Sequence, residues 1–168
     1  NVASAAEKYK VAISELEAFG VPNALAQSVS DLIRTELFRT GYFHVMERIQ
    51  MQKILDEQAF QLSGATEEDI VAIGKVLAVQ LIAIGSINQL GDSLVINLRL
   101  VDVEEARVKV AETVNAGGEE GIQVALQWLA SKLSESLPLQ GKVIQINKKE
   151  VVVSLGLMDK MQQGTTLK

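Results

Sequence analysis

The feature that most constrains the fold is a nearly continuous apolar run of strand length, VQLIAIGSI, at residues 79–87. A strand with one solvated face alternates apolar and polar residues, whereas a strand covered on both faces does not. This run therefore predicts an interior strand of a sheet with other elements packed on both sides. The next stretches, LVINLRLVDV and VKVAETV, alternate and are joined by short turns, which predicts an antiparallel meander.

The alternating stretch LVINLRLVDV also indicates which face of the sheet meets the core. Its polar members, Asn97 and Arg99, point away from the leucine-rich face. We therefore expect the face that carries them to be less completely covered. The core-facing positions are Leu94, Ile96, Leu98 and Leu100.

The segment before this meander begins with a strand and a helix. Residues 9–18, YKVAISELEA, are typical of one strand, because the apolar Val11 and Ile13 alternate with polar or small neighbours. In the next segment, NALAQSVSDLIRTELFRTG, apolar residues recur at three- and four-residue steps, as on one stripe of a helix. We expect Asn23 to be its N-cap and Gly41 to end it.

Three more helices complete the order. YFHVMER predicts a short strand, and helical spacing follows it from Met51. Thr66 and Asp69 fit a capping box for a third helix, and a fourth ends at Pro138. The order β-α-β-α-α-β-β-β-α predicts the α/β (α+β) class, with helices packed on a mixed sheet that contains an antiparallel meander.

The C-terminal segment, GKVIQINKKEVVVSLGLMDKMQQGTTLK, has a different character from the rest of the chain. It predicts a hairpin that turns at NKKE and then glycine-punctuated loops. Its 28 residues are too few to bury a core of their own. We therefore divide the chain into a domain at residues 1–138 and a partial small β-domain at residues 139–168, a β appendage.

Composition excludes several classes of function. The net charge of −5 argues against a nucleic-acid partner, because phosphate neutralisation needs clustered lysine and arginine. The chain has no cysteine and one histidine, which argues against thiol chemistry and zinc. Its most apolar stretch, VLAVQLIAIG, is half as long as the roughly 20 residues that cross a bilayer. We expect no metal and no cofactor.

Three residues, His44, Glu47 and Arg48, are of types that could serve a function. His44 lacks a nearby orienting group and a nucleophile motif, which favours ordinary strand polarity over a catalytic or pH-sensing role. Glu47 and Arg48 lie at a strand-to-helix corner. One interpretation is an ion pair or helix-end contact, and the other is a contact between subunits that fixes their register. Glu47 and Arg48 are therefore candidates for an interface.

Glycine-rich and acidic segments offer no stronger site. GSINQLG lacks the Lys-Ser/Thr of a phosphate loop, and the glutamates of GGEEG would repel phosphate. Glu67, Glu68 and Asp69 suit a helix N-terminus. Asp102, with the two glutamates that follow it, lacks the ligand spacing of a calcium loop. No catalytic residues emerge, so we expect a protein that is not an enzyme.

An ordered set of motifs runs along the chain and comprises LIRTEL, VMER, KILDEQ, QLSG, IGKVL, the GSI strand and LRLVDVE. This set resembles the CsgG-like family, which is named after the curli secretion channel, and the resemblance covers about residues 8–137. The remaining tail resembles the start of the small β-domain at the C-terminus of the flagellar assembly protein FlgT. That second resemblance is shorter and less specific.

The family resemblance implies a bacterial cell-envelope protein that faces the periplasm and is often lipid-anchored to the outer membrane. It also implies an α/β core related to the N-terminal domain of TolB. Family members act as channels, assembly factors or scaffolds, and channel-forming members build rings. Because the chain starts at Asn1, we expect a processed product whose lipid-bearing cysteine, if present, lies upstream.

These expectations lead to one preferred function and two alternatives. The preferred hypothesis is a non-enzymatic scaffold for assembly or secretion, which binds copies of itself and other envelope or surface-structure assembly proteins. It would meet the membrane only through an upstream lipid anchor. The alternatives are a subunit of an outer-membrane secretion channel and a small-molecule or nucleotide-binding module. The tight turns NQLGDS and EEAR leave no extra membrane-crossing strands, which favours the scaffold over the channel.

Overall fold

The computed structural model describes residues 7–61, 65–138, 140–141, 143–147 and 150–153. Internal contacts divide the chain into two compact units. The larger unit spans Tyr9–Leu137, and the smaller unit joins the residues around Glu7 to those from Pro138 onward. All of the candidate sites below lie in the larger unit.

The described residues of the larger unit form one six-stranded sheet. Its strands follow the order β3-β1-β4-β5-β6, and β2 pairs with the distal part of β4. The pairings among β1, β2, β3 and β4 are parallel, whereas β4, β5 and β6 form the predicted antiparallel meander. The strands are β1 (Tyr9–Ile13), β2 (Glu17–Phe19), β3 (Phe43–Val45), β4 (Leu81–Leu90), β5 (Ser93–Asp102) and β6 (Arg107–Ala116).

In the part of the chain that the structure describes, four helices pack on this mixed sheet, which confirms the predicted fold class. They are α1 (Asn23–Arg39), α2 (Arg48–Glu57), α3 (Glu67–Val76) and α4 (Ile122–Glu135). A 3-10 turn at Glu119–Gly121 leads into α4. Among the described residues, none of the helices is both long and apolar enough to cross a membrane.

The sheet separates two hydrophobic clusters. The larger cluster contains buried residues of α1 and α4 together with Leu81, Ala83 and Ile87 of β4. The smaller cluster contains buried residues of α2 and α3 together with Ile82 of the same strand. The first half of β4 is therefore covered on both faces, as its unbroken apolar sequence predicts.

Among the described residues, the part of the sheet around the second half of β4 is covered on one face only. The leucine-rich face of β5 belongs to the larger cluster, while Asn97 is half-buried and Arg99 is exposed on the other face. The prediction of an incompletely covered face is therefore confirmed. Because α2 and α3 pack near the start of β4, the distal part of this second face stays open among the described residues.

Helix ends were predicted with mixed success. The Thr66–Asp69 capping box is confirmed, since the Asp69 amide donates to the Thr66 hydroxyl and the Thr66 amide donates to the Asp69 carboxylate. The Thr66 hydroxyl also donates to that carboxylate, and this bond is the main reason that the pKa of Asp69 lies below its ordinary value. Gly41 follows α1 with a φ of 77°, as a helix stop requires.

The predicted cap at Asn23 is wrong. Asn23 is already the first residue of α1, and Pro22 occupies the N-cap position with extended backbone geometry. No side chain caps this end. Proline sets φ near the value needed to enter a helix, so the turn forms without a capping hydroxyl or amide.

The single strand predicted at residues 9–18 is also wrong, because the structure divides it into β1 and β2. After β1, the Ser14 amide still donates to the carbonyl of Ala83 on β4. The Leu16 amide instead donates to the Ser30 hydroxyl on α1, at 2.9 Å. This side-chain acceptor replaces a sheet partner and interrupts the strand before β2 joins β4.

The smaller unit contains the predicted C-terminal hairpin. Its strands β7 (Val143–Asn147) and β8 (Glu150–Val153) pair antiparallel. The Glu7 amide donates to the carbonyl of Gln140 at 2.9 Å, which adds an isolated bridge. The assignment of this segment to an FlgT-like domain stays a prediction.

Candidate functional site

The corner that contains Glu47 and Arg48 is held by a network of four charged side chains. Its centre is Arg34 of α1, whose side chain is 10% exposed. Arg34 Nη2 donates to the carbonyl of Ile13 at 2.7 Å and to Glu15 Oε1 at 3.2 Å. Arg34 Nη1 donates to Asp31 Oδ1 at 2.6 Å. A buried cation is thereby paired and hydrogen-bonded, as its desolvation requires.

Arg48 joins the same network from the first residue of α2. Its Nε lies 3.0 Å from Glu15 Oε1, and its Nη1 lies 3.7 Å from Asp31 Oδ2. Two arginines and two carboxylates therefore balance one another and connect the loop after β1 with α1 and α2. The structure brings Arg48 to partners inside its own chain, and neither of these partners is Glu47.

Two atoms of this network have no hydrogen-bond partner among the described residues. They are Oε2 of Glu15 and Nε of Arg34, and both are buried. A buried polar atom without a partner costs free energy relative to its hydrated state. The network therefore fixes the corner with charge-assisted bonds, and at these two atoms no described residue completes it.

Glu47 is presented differently from Arg48. It occupies the N-cap position of α2, its side chain makes no capping hydrogen bond, and the residue is exposed. Ile49, two positions further on, is 84% exposed, which is high for a large aliphatic side chain. The corner thus offers an apolar side chain and a carboxylate that has no ion-pair partner among the described residues.

A groove of about 780 Å³ runs beside this corner. It lies along β3, which is an edge strand of the sheet, and is bounded by α1, the start of α2 and the turn between α3 and β4. Phe38 on its α1 wall is exposed. An edge strand beside a groove is a surface on which protein segments dock.

His44 also lines this groove, on the sheet face opposite to buried Phe43. It is exposed, and its cross-strand neighbour is Lys10. No hydrogen bond joins its ring to any part of the chain that the structure describes. The geometry is that of an ordinary solvent-facing strand residue.

The acidic turn between β5 and β6 has a structural explanation. The carboxylate of Asp102 accepts hydrogen bonds from the amides of Glu104 and Glu105, and Lys109 Nζ donates to it at 2.7 Å. Burial opposes ionisation of Asp102, but these hydrogen bonds outweigh it, so the pKa of Asp102 lies below its ordinary value. The bond to Asp102 is the main reason that the pKa of Lys109 is raised.

Elsewhere among the described residues, acidic and histidine side chains do not gather in a group of three or more that could hold a metal ion. Glu67, Glu68 and Asp69 lie in the first turn of α3, where the helix dipole favours them. Glu119 and Glu120 lie in the 3-10 turn that precedes α4.

The sequence-based search missed a polar array on the open half of the sheet. Asn97 Nδ2 donates to the Ser86 hydroxyl at 3.3 Å, and Asn88 Nδ2 donates to the same oxygen at 3.0 Å. The Thr113 hydroxyl donates to Asn97 Oδ1 at 2.8 Å. We call Ser86, Asn88, Asn97 and Thr113 the amide platform. Asparagine inside alternating strands is the sequence signal that marks this array.

Comparison with known protein families identifies one match. Residues 5–95 match the family described as curli production assembly/transport component CsgG. This range contains β1 to β4, α1 to α3 and the charged corner. A comparison with curated proteins found no match.

Solved structures with the same fold come from several bacterial proteins. The C-terminal domain of LpoB from Salmonella enterica has a TM-score of 0.56 at 10% identity, covering 67% of this chain and 84% of that chain. A lipoprotein from Neisseria meningitidis has a TM-score of 0.57 at 9% identity, covering 77% of this chain and 99% of that chain. At such low identities these similarities establish the fold alone.

Two further structures extend this set. A dodecamer of PelC from Paraburkholderia phytofirmans has a TM-score of 0.52 at 15% identity, covering 78% of this chain and 90% of that chain. TolB from Acinetobacter baumannii has a TM-score of 0.53 at 17% identity, covering 80% of this chain but 29% of that chain. The predicted relationship to TolB is therefore confirmed at the level of the fold. The family match spans more than half of the 168 residues of this chain, and the chain therefore belongs to the CsgG family.

Proposed function

We propose that this chain is a non-enzymatic module of the bacterial cell envelope that supports assembly or secretion through protein–protein contacts. The observation that carries the proposal is the CsgG match over residues 5–95, whose family description names assembly and transport. One protein with the same fold is a lipoprotein. These similarities favour a location in the periplasm, in association with the outer membrane.

The arrangement of the charged residues supports a role in binding over a role in catalysis. Arg34, Arg48 and Asp31 are engaged with one another or with the backbone, and Asp102 caps a turn. Catalytic acids and bases need an open position where a substrate atom meets them. Here the paired charges serve to hold secondary-structure elements together.

Self-association through the charged corner is part of the proposal. Glu47 and Ile49 are exposed there, and the network around Arg34 fixes the backbone that presents them. Interfaces combine a buried apolar anchor with charges that set the register. In this arrangement Ile49 is the anchor, and Glu47 and Arg48 set the register. PelC, which has the same fold, crystallised as a dodecamer, and this supports the proposal.

Cross-linking in the cells that make the protein tests the proposal. The expected result is recovery with the envelope fraction and a ladder of cross-linked species that contains multiples of this chain or other envelope proteins. Glu47→Arg should deplete the multiples of this chain, whereas Glu57→Arg, at the other end of the same helix, should leave them unchanged. A protein found as an uncross-linked monomer in the cytosolic fraction would contradict the proposal.

A further inference from the structure

The open half of the second sheet face carries an unusual set of side chains. Strand register places Glu17, Ser86, Asn97 and Thr113 side by side across β2, β4, β5 and β6. The next row contains Phe19, Asn88, Val95 and Asn115. Adjacent strands are about 4.8 Å apart, so these two rows form one continuous surface. Most of its members are polar but uncharged.

Hydrogen bonds within the amide platform fix the orientation of its groups. Asn88 and Asn97 both donate to the Ser86 oxygen, and Thr113 donates to the side-chain oxygen of Asn97. Asn88 Nδ2 also lies 3.4 Å from the carbonyl oxygen of Val95. Within the described residues, the Ser86 hydroxyl proton and the Asn88 side-chain oxygen have no partner. The platform therefore presents preorganised donors and acceptors to a ligand.

The amino-acid choice at these positions conflicts with their secondary structure. Asparagine is depleted in strands, yet Asn88, Asn97 and Asn115 lie on one face of three adjacent strands. A solvent-facing sheet surface is normally formed by threonine or charged residues at less conformational cost. Local departures from propensity concentrate where a protein binds or reacts.

A small cavity adjoins the platform. Its volume is about 320 Å³, at the lower end of the range for small-molecule sites. Ser86 and Asn97 of the platform line it, together with Phe19 and Arg99. Phe19 is 52% exposed, so the aromatic ring is available for contact with a ligand.

We infer that this surface is a binding site for an uncharged oligosaccharide. Sugar hydroxyls both donate and accept hydrogen bonds, which matches the mixed capacity of amide and hydroxyl side chains. The C–H face of a sugar ring is complementary to an aromatic ring such as that of Phe19. Strand faces of this kind bind oligosaccharides in other β-folds. Among the described residues that line the cavity, three glutamates (Glu15, Glu17 and Glu67) outnumber the cation Arg99. This excess of negative charge disfavours phosphorylated or acidic ligands.

Glu15 lines the cavity and also pairs with Arg48, but the amide platform and Phe19 share no residue with the exposed corner at Glu47 and Ile49, so neither inference depends on the other. Saturation-transfer NMR suits the test because it observes the ligand and works for both monomers and large assemblies. The probes are N-acetylated chitotetraose and maltotetraose, with oligogalacturonate as the acidic comparison. An uncharged peptide of glycine, serine and asparagine tests a protein segment as the occupant.

The expected result is saturation transfer to at least one neutral oligosaccharide and none to oligogalacturonate. Phe19→Ala and Asn97→Ala should each weaken binding by about fivefold to tenfold. Trp128→Ala is the matched control, because it removes an aromatic side chain with similar exposure (48%) from α4. That variant should bind like the wild type.

Three results would overturn the inference. One is the absence of saturation transfer to either neutral oligosaccharide at millimolar concentration. Another is saturation transfer that is the same for Phe19→Ala as for the wild type, or that Trp128→Ala reduces as much as Phe19→Ala does. The third is binding of the peptide in place of the sugars. Because Phe19 lies at the exposed edge of the sheet, Phe19→Ala keeps the test decisive even if Asn97→Ala does not fold.

Discussion

Arg34 on α1 donates a hydrogen bond from Nη2 to the carbonyl oxygen of Ile13, the last residue of β1, at 2.7 Å. The same guanidinium pairs with Glu15 and Asp31. A charged side chain thereby attaches a helix to the strand beneath it, and through Glu15 it also positions Arg48. The corner that presents Glu47 is consequently a fixed part of the fold.

Removing Arg34 should destabilise the protein strongly. Arg34→Ala leaves Glu15 and Asp31 without their buried partner and frees the Ile13 carbonyl, so we expect a loss of about 3 kcal/mol in the free energy of unfolding. Arg107→Ala, which removes an exposed partner of Glu105, should cost less than about 0.5 kcal/mol. Urea denaturation measures both values. Equal effects of the two substitutions would show that the network does not support the fold.

Charge reversal at Glu47 should weaken self-association without unfolding the chain. Its side chain is exposed and makes no capping bond, so Glu47→Arg breaks no side-chain hydrogen bond or ion pair among the described residues. We expect the dissociation constant of the oligomer to rise about tenfold or more, measured by sedimentation equilibrium. Glu57→Arg is the control. Arg48→Glu is less informative, because it also breaks the pairs with Glu15 and Asp31.

Ile49→Ala should have a similar effect on self-association. If Ile49 is an apolar anchor, its truncation should weaken association by about 1 to 2 kcal/mol, since it removes buried apolar area from the interface. Leu90→Ala, at another exposed apolar position, is the control. Sedimentation equilibrium again provides the measurement. Unchanged association for Ile49→Ala would place the interface elsewhere.

A methyl group added at Gly85 should damage the sheet. A Cβ atom there would overlap the carbonyl oxygen of Asn97 on the neighbouring strand and press on Leu16. Because backbone cannot move aside as a flexible side chain can, we expect Gly85→Ala to cost about 2 kcal/mol or more in thermal or urea unfolding. Gly117→Ala, where the added atom meets nothing within 4 Å, should be close to neutral.

The Asp102–Lys109 pair should shape the acid limb of the stability curve. The folded-state pKa of Asp102 is lowered, so its contribution is fully present above the unfolded-state pKa and is lost as pH falls through the folded-state value. We therefore expect the free energy of unfolding to decrease below about pH 4 and Asp102→Asn to flatten that decrease. Asp92→Asn in the exposed β4–β5 turn is the control. An acid limb unchanged by Asp102→Asn would contradict this assignment.

Periodicity predicted the parts of the fold whose packing is local in sequence. The alternation of Leu94 to Leu100 identified the core face of β5, and the unbroken run through Ile82 identified a strand covered on both sides. The Thr66–Asp69 capping box was also readable, because its two members lie three residues apart. These features depend on short-range spacing, which one sequence displays directly.

Features that depend on long-range pairing were not predicted. β2 is only three residues long, and it forms because β4 offers it a parallel partner 69 positions further along the chain. The network that joins Glu15 to Arg48 connects the loop after β1 with α1 and α2. The sequence therefore marked Arg48 as a charged residue at a corner but did not predict its partners. The amide platform likewise arises from strand register, although Asn97 was identified as facing away from the core.

The molar mass of the purified chain in solution, measured by multi-angle light scattering over a range of concentrations, tests the central claim most directly. A self-associating module of the CsgG family should show a mass that is a multiple of one chain and that falls for Glu47→Arg but not for Glu57→Arg. A mass equal to one chain at every concentration, identical for all three proteins, would contradict the account.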